Sequence, residues 1–67
     1  MAKGTIKWFD TQKGYGFIAP EAGGKDVFVH VSGLAPGVSA LDDGEAVVFQ
    51  VTEGKKGLPV AVGVRPA

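Results

Sequence analysis

A chain of 67 residues makes one domain, spanning 1–67, and a domain this small buries only about 60% of the surface its unfolded chain exposes. It has no cysteine, which excludes a disulfide framework and a thiolate metal site, and its seven basic residues balance seven acidic ones, which excludes the strong net positive field of most nucleic-acid binders. No apolar run approaches the ~20 residues a bilayer span needs, and Met1-Ala2-Lys3-Gly4 leads straight into a strand pattern rather than a signal peptide, so a soluble cytoplasmic protein is expected.

Alternating runs are broken by turn residues every eight to twelve positions, and no helix period appears. The first strand is expected over Lys3–Asp10, with Thr11-Gln12-Lys13-Gly14 as a loop, and the second over Tyr15–Ala19, stopped by Pro20. Glu21-Ala22-Gly23-Gly24-Lys25 reads as a hairpin connection whose glycines supply positive φ. The third strand, Asp26–Val31, completes a meander. Ser32 is positioned to cap a short helical turn at Gly33-Leu34-Ala35, after which Pro36-Gly37 opens an irregular crossing that ends in the turn Asp43-Gly44. A fourth strand over Glu45–Thr52 and a fifth over Leu58–Arg65 flank Glu53-Gly54-Lys55-Lys56-Gly57, with Pro59 expected at the start of the fifth because it cannot donate to a ladder. A meander, a crossover and a hairpin together suit an all-β, five-stranded antiparallel Greek-key barrel, which removes the open edges of so short a sheet.

Strand alternation puts Tyr15 and Phe17 on one face, and Phe28 and His30 on one face, while Gly16, Ile18, Val27, Val29 and Val31 turn to the core. Phe9 and Phe49 read as core or half-core. Flat rings displayed on so small a protein, with Lys7 and Lys13 nearby, form a surface on which unpaired bases stack while ammonium groups meet phosphates. Lys3, Lys7, Lys13 and Lys25 lie in this aromatic half, and Asp42, Asp43, Glu45 and Glu53 lie outside it, so an acidic segment folded to the far side would leave the rings a modest positive potential. Trp8 falls on the inward side with Ile6 under strict alternation and reaches the rings only if a bulge or bend re-aims it.

Lys13-Gly14-Tyr15-Gly16-Phe17-Ile18 reads as a first ribonucleoprotein motif and Val27-Phe28-Val29-His30-Val31 as a second. Together with Gly4-Thr5-Ile6-Lys7-Trp8-Phe9 and Asp43-Gly44-Glu45-Ala46-Val47-Val48-Phe49, they give the chain a nearly end-to-end resemblance to bacterial cold-shock proteins. That resemblance implies an oligonucleotide-binding (OB) barrel, the cold-shock domain, that takes single-stranded RNA and DNA with a mild pyrimidine preference. It further implies action as an RNA chaperone and, in some members, as a transcription antiterminator or translation regulator. Carried over by position, the binding surface is Lys7, Trp8, Lys13, Tyr15, Phe17, Phe28 and His30, with Asp26 either capping its turn or bonding a base edge. Lys55-Lys56, in the last loop, is a solvated charge or a phosphate contact.

The chain departs from the family's usual pattern near this surface. Val31 and Val38 stand where relatives usually carry aromatics, Tyr15 replaces a phenylalanine, Asp10 an asparagine, and the final strand lacks polar glutamine and asparagine. Weaker binding than that of a typical member is therefore expected.

An enzyme would need a nucleophile with a neighbouring base or a metal cluster, and one histidine without cysteine supplies neither, so no catalysis, cofactor, metal or small-molecule substrate is expected. Gly14-Tyr15-Gly16-Phe17-Ile18-Ala19 fits a dinucleotide fingerprint in letters only, since Pro20 intervenes and no helix follows. The competing reading is a protein-interaction module that docks peptides on the aromatic patch. A closed barrel gives no reason to dimerise, and a monomer is expected.

Overall fold

The structure is a computed structural model that describes residues 1–67. Five strands, β1 (Ala2–Asp10), β2 (Tyr15–Pro20), β3 (Val27–His30), β4 (Ala46–Glu53) and β5 (Pro59–Pro66), close into a barrel in the order β1-β2-β3-β5-β4. The β1–β2, β2–β3, β1–β4 and β4–β5 seams are antiparallel. The closing seam is parallel and short: only Phe28 with Val60 and Val29 with Ala61 pair across β3 and β5. The crossover between β3 and β4 makes this seam reachable, because it lets the β4–β5 hairpin fold back beside β3.

Alternation fills the interior as expected for Ile6, Ile18, Val27, Val29 and Phe49; Val47 joins them, and the crossover adds Leu41 as a plug. Phe49 is fully buried, and Phe9 is half-buried against the core. At β5 the interior positions are Ala61 and Val64, three residues apart rather than two. A bulge explains the gap: Val48 pairs with Arg65 and Gln50 with Val62, so two β5 residues oppose Phe49. Gly63, at φ 63°, supplies the left-handed backbone that the extra residue needs.

Several boundaries differ from the expectation. β3 ends at His30, so Val31 is not a core residue. It opens a 3-10 turn over Val31–Gly33 and is 44% exposed, because the backbone leaves the pleat just where alternation would have turned the side chain inward. That turn precedes the expected Gly33–Ala35 position, and its cap is His30, whose ring accepts the Ser32 N–H, rather than Ser32 itself. Pro20 closes β2 as its last residue instead of stopping it from outside. Pro59 does open β5, and a second 3-10 turn at Lys55–Gly57 precedes it. Gly23 and Gly24 both take positive φ in the β2–β3 hairpin. No helix is long and apolar enough to cross a membrane.

Candidate nucleic-acid interface

One extra residue in β1 builds the aromatic surface. Ile6 pairs with Ile18, but the next pair is Trp8 with Phe17, so Lys7 has no partner across the seam and the strand bulges there. In straight register Trp8 would oppose Gly16 and turn inward beside Ile6. The bulge moves it opposite Phe17 on the outer face and brings Phe9 opposite Gly16 on the inner one. Gly16 permits this. A Cβ there would overlap the Trp8 carbonyl oxygen and lie 2.7 Å from the Phe9 Cα, so only glycine lets the bulged segment close over β2.

Four rings from three strands then form a closed circuit. Trp8 lies 5.4 Å from Phe17 and 5.7 Å from Tyr15, while Phe28 lies 5.7 Å from each of Phe17 and Tyr15. Tyr15 and Phe28 stack at 30°, and the other pairs are tilted or edge-on. Trp8 is 37% exposed, and Tyr15, Phe17 and Phe28 are half-buried. The rings are neither sealed inside nor bare. Their edges hold one another, each contact contributing about 0.5–1.5 kcal/mol, and part of each ring is left to solvent. His30, exposed and paired with Tyr15, extends the surface at one end.

The neighbouring polar groups are ordered by the same backbone. Asp10 orders the loop that follows β1: its Oδ1 accepts the Gln12 and Lys13 N–H groups at 2.9 and 3.0 Å. This Asx turn shapes the loop that carries the exposed Lys13. Lys7, freed by the bulge, donates from Nζ to Asp26 Oδ2 at 2.9 Å. The two side chains are 58% and 36% exposed, so the pair adds only about 0–1 kcal/mol to folding.

The acidic turn does not lie on the far side of the barrel. It docks along the edge of β1 away from β2: Gly44 N–H donates to the Ile6 carbonyl, Ile6 N–H to the Glu45 carbonyl, and Phe9 N–H to Asp43 Oδ1. β1 pairs with β4 only from Ala2 to Thr5, and this turn satisfies the backbone beyond it.

At the other end, β5 continues the surface in aliphatic form. The cross-strand row Trp8, Phe17, Phe28 runs on to Val60 and then Thr52. Phe17, Phe28, Leu58, Pro59 and Val60 line a groove of about 500 Å³ with Lys25, Asp26 and Lys55 at its rim. Lys55 rather than Lys56 borders this groove; Lys56 is exposed in the same turn, on left-handed backbone at φ 59°. Leu58 and Val60 escape sequence reasoning because the parallel seam that brings β5 to Phe28 has no local signature. The run Leu58-Pro59-Val60 beside two lysines was the available hint. Val38, by contrast, is half-buried and packs against the core, so it is no vacant position on the surface.

The family model described as the 'Cold-shock' DNA-binding domain matches residues 2–67. The chain is 52% identical over 68 residues to "Cold shock protein ScoF" of Streptomyces coelicolor, covering all of both chains. It is 51% identical over 63 residues to "Cold shock-like protein CspE" of Escherichia coli K12, covering 92% of this chain and 90% of that one. It is also 53% identical over 64 residues to "Glycine-rich protein 2" of Nicotiana sylvestris, where the match takes in 94% of this chain but 30% of that protein. A five-stranded closed barrel carrying these motifs, matched from residue 2 to residue 67, belongs to the cold-shock DNA-binding domain family.

Proposed function

We propose that this chain binds single-stranded RNA and DNA as a monomer, without catalysis, by stacking bases on Trp8, Tyr15, Phe17 and Phe28. In this reading His30 continues the surface, Lys7, Lys13 and Lys56 meet phosphates, and Asp26 accepts from a base edge. Bound to strands that weak hairpins expose transiently, the chain favours their open form by mass action and so acts as an RNA chaperone, with transcription antitermination or translation regulation as the outcome in the cell. The observation that carries this reading is the four-ring circuit that the Lys7 bulge assembles on the outer wall.

Trp8 is the only tryptophan, so its fluorescence reports the surface directly. Heptathymidine should quench it in a titration that saturates, and a duplex of equal length should not. With two or three phosphates neutralised, the slope of log affinity against log salt should be shallow, about −1.4 to −2.1 at roughly −0.7 per phosphate. Quenching by apolar peptides with indifference to heptathymidine would favour peptide docking instead.

Val31 marks the place where a ring is missing. It is exposed, and a Cβ built on Gly14 would lie 3.5 Å from its Cγ1, which puts it beside the Lys13 loop and next to His30. Val31→Phe should leave melting nearly unchanged and tighten heptathymidine binding by about tenfold, since a stacked base contributes ~1–3 kcal/mol. The same titration measures it.

A further inference from the structure

The Nδ1 of His30 lies 3.1 Å from the backbone nitrogen of Ser32 and 2.9 Å from its Oγ. A backbone N–H can only donate, so Nδ1 must present its lone pair, and the neutral ring must carry its proton on Nε2. The Ser32 hydroxyl can donate to the same lone pair, so two donors from one residue converge on one ring nitrogen. Nε2 has no hydrogen-bond partner within the chain, and His30 is exposed at the end of the aromatic surface. The arrangement follows from the abrupt end of β3. His30 has extended backbone at φ −103°, ψ 155°, and the 3-10 turn that starts at Val31 brings Ser32 back over the ring.

We infer that Ser32 is a positioning residue that fixes the His30 ring in its Nε2–H tautomer, so that His30 meets a bound strand as a hydrogen-bond donor. This rests on the single-strand-binding reading above. The ligand atom selected is an acceptor oxygen, either of phosphate or of a pyrimidine carbonyl. A ring free to exchange tautomers would offer an acceptor lone pair part of the time and would repel either oxygen.

His30 is the only histidine, so its ring nitrogens can be followed without ambiguity in a long-range proton–nitrogen correlation spectrum of labelled protein. Recorded above the imidazole's ordinary titration range, the free protein should show one tautomer, protonated at Nε2. Ser32→Ala keeps the backbone donor, and with it the Nε2–H tautomer, but loses the hydroxyl that helps to hold the ring's orientation. It should weaken heptathymidine binding about two- to tenfold, with melting unchanged. Ser32→Thr should restore affinity.

Heptaadenine separates the two oxygens, because adenine has no carbonyl. An equal loss with both oligonucleotides assigns the acceptor to phosphate, and a loss confined to heptathymidine assigns it to the base. A mixed or Nδ1–H tautomer in the unaltered protein would overturn the inference, as would a Ser32→Ala variant with unchanged affinity. Absence of Trp8 quenching in the unaltered protein would bring down the binding reading itself, and the donor role with it. Intact quenching with Ser32→Ala indistinguishable from the parent would bring down the donor role alone.

Discussion

Gly16→Ala should be the most damaging single methyl that can be added to this barrel's wall. The new Cβ would meet the β1 backbone, overlapping the Trp8 carbonyl oxygen and standing 2.7 Å from the Phe9 Cα. Neither atom can rotate aside as a side-chain tip would. Relief therefore requires β1 and β2 to separate where the bulged residues cross. Overpacking usually costs about 1–3 kcal/mol and more when backbone must move. A chain of this size has roughly 3–10 kcal/mol of total stability. At about 4–8 °C per kcal/mol, a loss of 3 kcal/mol lowers the melting temperature by roughly 12–24 °C.

Thermal denaturation followed by Trp8 fluorescence measures this effect, with Gly24→Ala as the control. Gly24, unlike Gly16, has positive φ, 93°, but a Cβ there meets nothing within 4 Å, so only the conformational cost of about 1 kcal/mol applies. Gly16→Ala melting within a few degrees of the parent would show that β1 yields more easily than the packing indicates.

Removal of a ring from the circuit should weaken single-strand binding more than any change of charge around it. Phe17→Ala and Phe28→Ala each delete one stacking face, at ~1–3 kcal/mol or roughly five- to 150-fold in affinity. Each also deletes two ring contacts at 5.4–5.7 Å, so stability should fall by about 1–3 kcal/mol as well. Phe17→Leu and Phe28→Leu separate the two effects. Leucine keeps most of the apolar bulk against the neighbouring rings and has no π face. The leucine variants should melt close to the parent and still lose most of the heptathymidine affinity in the Trp8 titration. Leucine variants with full affinity and lowered stability would mean that the rings serve only to hold the strands together.

Period-two alternation and turn chemistry made most of the barrel legible in the sequence. Ile18, Val27, Val29 and Phe49 face inward as read, and Pro59 opens its strand as a residue without an N–H must. The misreadings fall where the pleat is interrupted. Alternation extended one residue past His30 points Val31 to the core, but the chain turns into the 3-10 segment there. Ser32 has cap chemistry, but the cap is the histidine two residues before it, and no propensity scale favours that choice.

Trp8 lies beyond what a single strand's alternation encodes. Its exposure depends on a bulge, and a bulge is a property of two strands in register rather than of either strand alone. For the same reason the β5 flank of the surface was invisible: Val60 reaches Phe28 through a parallel seam between segments some thirty residues apart.

The ring circuit draws its members from β1, β2 and β3, joined in sequence only by short loops. Any molecule that settles on all of them at once becomes a brace across three strands of a domain with little stability to spare. Occupancy then feeds directly into persistence: at a free ligand concentration a hundred times Kd the folded state gains about 2.7 kcal/mol. The chain would be hardest to degrade while it is engaged, and its lifetime would rise and fall with the supply of what it holds.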